Sequence, residues 1–332
     1  MVGFTEQETI ELIKEVLPEK TEEEQKEILK IIEKNYDGYR FSELNQEHTY
    51  NSTLVMYYLS SYVQEGMAPI SLLDINIAAN FSKLENILTL KGNEYSEKIL
   101  TDAIQGNLLQ GSIIDKFELT TMPIDEQVIQ SMLFYFGYLT IKENDLLDVE
   151  YGIPNYAMGE IYNDYFINLI QKSGIKLNTQ KVREAALQIG REGKIDKICM
   201  LVEEYLKDLG NISWQRYDEK YVQSYMHALL RLNERFNVYL EYNVKDNKYI
   251  DVAVFKRENV GIKYQAIIEL KYIKKENAKT EEEKQKAIQE KRKQAIEQIQ
   301  AYSQDERLPH DNMKKFIVIY VGQKLELLEE IE

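Results

Sequence analysis

Apolar residues recur mostly at helical spacing through the first part of the chain, and sustained strand-like alternation begins at Asn237. Thr5-Glu6-Gln7-Glu8 reads as a capping box that opens a helix with an apolar stripe of Ile10, Leu12, Ile13, Val16 and Leu17, stopped by Pro18. Thr21-Glu22-Glu23-Glu24 repeats the device ahead of Ile28, Leu29, Ile31 and Ile32. Tyr57 to Glu150 is mostly helical in pattern, with strand-like pieces at Leu139-Thr140-Ile141 and Leu147 and breaks at Pro69, Pro123 and Pro154. Helical periodicity resumes from Ile161 to Leu209, and Gly210-Asn211 ends it.

The last third has a different rhythm. Tyr217 to Leu232 predicts a helix with Tyr221, Tyr225, Leu229 and Leu232 on its apolar face. Val238, Leu240, Tyr242 and Val244 alternate as in a strand, and Lys245-Asp246-Asn247-Lys248 forms a plausible hairpin turn into a returning strand, Tyr249 to Phe255. A polar loop from Lys256 to Lys263 leads to a third strand, Tyr264 to Tyr272. Thr280-Glu281-Glu282-Glu283 caps a long helix through Tyr302, and Phe316 to Val321 reads as a buried strand. The Glu/Lys-rich stretch from Lys274 to Lys293 is a solvated helix face, on which Lys284, Lys291 and Arg292 are the candidates for touching a phosphate backbone.

The chain has 332 residues, enough for two or three domains. Its formal charge of −15 argues against a polyanion partner until it is divided. From Arg216 onward there are 22 Lys+Arg against 21 Asp+Glu, and the first 215 residues have 19 against 35. The acidity therefore belongs to the first part, and the second can present a basic face. One cysteine, Cys199, excludes an internal disulfide framework and suits a cytoplasmic location. With three histidines and that one cysteine, a structural zinc site is not expected. No apolar run approaches the roughly 20 residues that span a bilayer, and the N-terminus has no signal-peptide pattern.

Candidate chemistry sits on the second and third strands. Asp251 interrupts Ile250-Asp251-Val252-Ala253-Val254, although aspartate is depleted in strands. Glu269 and Lys271 lie two apart in Ile268-Glu269-Leu270-Lys271 and share a strand face. Two carboxylates on neighbouring strands, joined by the Leu270 carbonyl, are hard oxygen ligands for Mg²⁺ or Mn²⁺. Lys271 beside them can orient the attacking water or neutralise transition-state charge. This is the layout of a metal-dependent phosphodiesterase.

Two regions resemble a known family. Tyr36-Asp37-Gly38-Tyr39-Arg40-Phe41 followed by Tyr50-Asn51, then Leu133 to Thr140 and Ile153-Pro154-Asn155, are similar to segments of bacterial AAA-ATPase-like proteins with a C-terminal PD-(D/E)XK nuclease domain. The resemblance implies an α+β chain: a mainly helical N-terminal region and a restriction-endonuclease-like domain with an αβββαβ core. The expected division is 1–155 as a remnant of the ATPase-like domain, 156–215 as a helical connector and 216–332 as the nuclease domain. No G-x-x-x-x-G-K-[ST] phosphate loop exists, so no ATP cofactor is expected. In the RecB-like branch a helix histidine joins the metal site, which points to His227. A Gln-x-x-x-Tyr motif places Gln298 and Tyr302 toward the substrate, and Glu241 matches a strand glutamate. The family's Gly-Arg ahead of the aspartate is replaced here by Lys248-Tyr249-Ile250.

Each feature also has an ordinary reading. Glu-x-Lys occurs on solvent-facing strands, His227 alone reads as a satisfied helix residue, and the aromatics around Asp37-Gly38 read as core with Arg40 paired to an acid. Taken together and in order, the features predict a Mg²⁺- or Mn²⁺-dependent nuclease acting on DNA more than RNA. The rival is an inactive nuclease-fold protein that acts as a protein-interaction or nucleic-acid-binding module, with a protein partner taken through the acidic N-terminal region.

Overall fold

The computed structural model describes all residues except 1–2, 46, 70, 74–80, 91–93, 115, 117–123, 145–147, 173, 175, 210–217, 246–247, 258–260 and 332. Sequence features at Pro123, Leu147, Gly210-Asn211 and the Asp246-Asn247 turn lie outside the described residues. The chain divides into two compact units, Met1–Phe166 and Ile167–Glu332.

The first unit contains helices α1 (Glu6–Val16), α2 (Glu22–Tyr36), α3 (Ser52–Glu65), α4 (Phe81–Leu88), α5 (Glu94–Ile104) and α6 (Glu126–Tyr135), and the division falls within α7 (Tyr156–Lys172). Both expected capping boxes form, Thr5 with Glu8 and Thr21 with Glu24, and each closes an otherwise open set of first-turn amides. A small antiparallel sheet of β1 (Leu109–Gly111), β2 (Thr140–Asn144) and β3 (Val149–Gly152), ordered β1-β3-β2, was legible only at the Leu139-Thr140-Ile141 piece, whose last two residues open β2. The aromatic segments interlock here: Tyr39 bridges Thr49, Phe4 bridges Tyr50, and the Arg40 amide and carbonyl both bond the Thr140 hydroxyl. Arg40 is buried, and its guanidinium donates to the carbonyls of Ser42, Glu43 and Asn45.

The second unit is built on a five-stranded sheet. Helices α8 (Thr179–Glu192), α9 (Asp196–Leu209) and α10 (Glu219–Arg231) precede β4 (Phe236–Val244), β5 (Lys248–Lys256) and β6 (Gln265–Ile273); α11 (Glu281–Tyr302), β7 (Met313–Val321) and β8 (Lys324–Ile331) follow. Strand order is β4-β5-β6-β7-β8, antiparallel throughout except for β6 and β7. A parallel pair needs a crossover, and α11 supplies it. Ile288, Ala295 and Ile299 of α11 pack with Ile267, Ile317 and Ile319 on one face. The opposite face takes the other helices: the Tyr320 hydroxyl, pointing away from α11, donates to the Cys199 carbonyl, and Gln323 donates to the Leu206 carbonyl. Helices expected as a connector thus cover the sheet. Cys199 is core, its thiol pushed up to about 12 by burial. Among the described residues no helix is long and apolar enough to cross a membrane.

Candidate active site

Strand β6 stays paired with β7 along its whole length, from Gln265↔Met313 to Ile273↔Val321. Its ladder with β5 is short, running from Ala266↔Val254 to Ile268↔Val252 and stopping one residue before Asp251 and Glu269. Beyond that point β5 remains with β4, through Tyr242↔Ile250 to Val244↔Lys248. The β4 register passes over Glu241 and Asp251, where Glu241 adopts φ +45°, an uncommon conformation for a side chain of this kind. Asp251 therefore stands where the sheet parts on one side and the backbone is strained on the other.

The parting leaves amides of β6 without a strand partner, and carboxylates take them. Leu270 N–H donates to Asp251 Oδ2 at 2.8 Å, and Tyr272 N–H donates to Glu219 Oε2 at 3.0 Å. A buried amide must be satisfied, so the two acids are fixed by the main chain itself. Between these amides Lys271 sends its ammonium to all the acids nearby: Nζ lies 2.8 Å from Glu269 Oε1, 3.2 Å from Asp251 Oδ2 and 3.6 Å from Glu219 Oε1. The second oxygen of Glu269 accepts the Tyr302 hydroxyl at 2.6 Å, delivered by the last residue of α11.

Three carboxylates around one ammonium leave excess negative charge in a place largely closed to water. Glu269 is fully buried and Lys271 nearly so, while Asp251 retains 14% and Glu219 32% of side-chain exposure, which puts the opening on their side. Burial and the Glu269 charge push the Asp251 carboxyl up to about 8, against the pull of Lys271 and the Leu270 amide. Burial alone would lower the Lys271 ammonium, but Asp251, Glu269 and Glu219 outweigh it and hold the ammonium charged, above its ordinary range. Burial, with the Glu269 charge adding to it, raises the Tyr302 hydroxyl far above the tyrosine range, so it serves as a hydrogen-bond donor.

The remaining sequence candidates stand apart from this cluster. His227 is buried on α10 against β4, its Nε2 3.2 Å from the Val238 carbonyl and its Nδ1 without a partner; no contact joins it to Asp251 or Glu269. Burial, then the Arg231 charge, lowers its pKa to about 3. Gln298 is exposed one turn before buried Tyr302, and Glu241 pairs with Lys220 at 3.3 Å. Lys284 and Arg292 are engaged by Glu326 and Glu329. Glu219 is the residue that the sequence reading missed. Its signal was present: Glu219 heads the α10 stripe continued by buried Val222, Met226 and Leu229, and an acid leading a buried stripe needs a partner.

The donor set is all oxygen, the Asp251 and Glu269 carboxylates with the Leu270 carbonyl, which shares the open edge of β6 with its amide. Such a set suits a hard divalent cation. It contains two acids at its centre, and among the described residues no group of three or more His, Cys, Asp or Glu side chains is disposed to hold a metal. A helix, three antiparallel strands, a crossover helix and a parallel strand, with acids and a lysine where the sheet parts, are consistent with a domain of the PD-(D/E)XK fold. Residues 217–330 match the family model of the PD-(D/E)XK nuclease superfamily. No curated protein matches the chain.

Proposed function

We propose that this protein is a Mg²⁺- or Mn²⁺-dependent phosphodiesterase that cuts nucleic acid, DNA in preference to RNA. The observation that carries the reading is the meeting of Asp251, Glu269 and Lys271 at the parting of β5 and β6. Asp251, Glu269 and the Leu270 carbonyl are the groups assigned to the ion, which when bound polarises the scissile phosphate and lowers the pKa of its water. Lys271, held by the same two acids, orients the attacking water with its ammonium and takes up charge on the phosphoryl oxygens. Tyr302 holds Glu269 in one rotamer, and Glu219 keeps Lys271 charged and aimed. Gln298, exposed on α11, is assigned to the substrate backbone.

The excess of negative charge at the cluster supports a cation site: the ammonium and the raised Asp251 carboxyl both compensate for it in the ion-free protein. The resemblance of the first unit to the AAA-ATPase-like family supports an origin in that family. Incubation with linear, circular and single-stranded DNA and RNA, with Mn²⁺ or with chelator, tests the activity. Asp251→Ala and Lys271→Ala should each abolish cleavage with the fold retained. Metal-dependent cutting that persists in both variants would sink the assignment.

A further inference from the structure

The aromatic segments that the nuclease chemistry leaves unused converge on one cavity in the first unit. Tyr39, Phe41, Tyr50, Phe136 and Tyr138 line it, and they come from two stretches far apart in sequence, 39–50 and 136–138. Ordinary core packing would bring such rings together and close the space, because protein interiors tolerate few voids larger than a water molecule. Here the space stays open at about 330 Å³, within the size range of small-molecule sites.

The walls have a direction. Tyr39 and Phe41 are already stacked, with centroids 5.5 Å apart and planes 21° apart, while Phe136 at the rim is 53% exposed. Tyr39 and Tyr50 are buried, and the Asn51 amide donates to the Tyr39 hydroxyl at 3.4 Å. Tyr39 and Tyr138 are both pushed up to about 12, in each case chiefly by burial, so both are neutral donors. Among the described residues lining the cavity, the one basic side chain is Lys83, which is exposed, and Ser52 and Thr53 add hydroxyl side chains to the same lining.

We infer that this cavity is a binding site for a planar ring carrying an anionic group, of the class of a nucleoside monophosphate. The ring extends the Tyr39–Phe41 stack beneath Phe136, and Lys83 with the hydroxyls of Ser52 and Thr53 meets the phosphate. The acidity of the first 215 residues disfavours a long polyanion there, which leaves a small ligand with one charged end. The inference is independent of the nuclease reading.

Calorimetric titration of the full chain in chelator, with AMP, CMP, adenosine and inorganic phosphate, tests it. Both mononucleotides should bind; Phe136→Ala should weaken them by at least about fivefold, the loss of one stacking contact. Lys83→Ala should weaken the mononucleotides by a similar factor and leave adenosine unchanged. Both side chains are exposed, so neither substitution threatens the fold. Asp251→Asn should have no effect, which separates this site from the carboxylate cluster. Failure of both mononucleotides to bind at millimolar concentration, or binding indifferent to both Phe136→Ala and Lys83→Ala, would overturn the inference.

Discussion

At the scale of single residues, the cluster is an arrangement of unequal partners, and its parts can be separated by substitution. Tyr302→Phe removes the hydroxyl that donates to Glu269 Oε2 and leaves a fully buried carboxylate oxygen without its hydrogen bond. An orphaned charged acceptor costs on the order of 1–3 kcal/mol, so the variant should melt several degrees lower in chelator. Saturating Mn²⁺ should shrink the difference, because an ion beside Glu269 compensates the same charge; equal losses with and without Mn²⁺ would contradict a shared role. Glu219→Gln behaves differently. Its amide oxygen can still accept the Tyr272 amide, so the fold should persist, while one negative charge beside Lys271 disappears. Neighbours of this kind change metal affinity by roughly 10–100-fold when mutated, and calorimetry with Mn²⁺ should find a loss in that range. Unchanged Mn²⁺ affinity would reduce Glu219 to a helix-terminal anchor.

At the scale of elements, the order helix, three strands, helix, strand was legible because each piece had its own period or cap. Thr280 with Glu283 closes α11 as expected, and the β4 to β6 alternation matches the observed strands to within a residue or two. Strand β8 was not legible: Leu325-Glu326-Leu327-Leu328-Glu329-Glu330 is made of good helix formers, and only its place beside β7, after the turn at Gly322, makes it a strand. The parting of β5 and β6 was equally hidden, since no residue in either strand announces where a ladder stops. Sequence could therefore set Asp251, Glu269 and Lys271 on neighbouring strands, but it had no means of showing that two freed amides fix the acids. The Asp37-Gly38 turn offers an element-scale test. Gly38 sits at φ +102°, and a Cβ there would lie 2.3 Å from the Pro154 carbonyl oxygen, so Gly38→Ala must shift the loop that holds the aromatic segments together. Urea unfolding should show a loss above about 1 kcal/mol; an unperturbed midpoint would mean that this loop bears little of the unit's stability.

At the scale of the whole molecule, two buried groups give the ion-free protein opposed responses to pH. His227 has its pKa lowered from 6.5 to about 3, so its protonation favours the unfolded chain. Its contribution is complete above pH 6.5 and is lost as pH falls toward 3. Asp251 is raised from 3.8 to about 8, so the folded state holds the proton more tightly. That contribution is complete below pH 3.8 and is lost as pH rises through 8. Between about pH 4 and 6.5 the two oppose each other, and above 6.5 the Asp251 loss stands alone. In chelator, the wild type should therefore lose stability from pH 6.5 to 8. Asp251→Asn should flatten that decline, since the amide keeps its size and cannot ionise. His227→Gln, with a side-chain amide in place of the ring donor, should keep the decline and expose a further fall between pH 4 and 6.5. Mn²⁺ should restore the wild type at pH 8 and do little for Asp251→Asn, because the ion compensates the Asp251 charge that the proton otherwise removes. Parallel melting curves for wild type and Asp251→Asn across pH 6.5 to 8 would show that the carboxylate cluster does not govern the stability of the molecule.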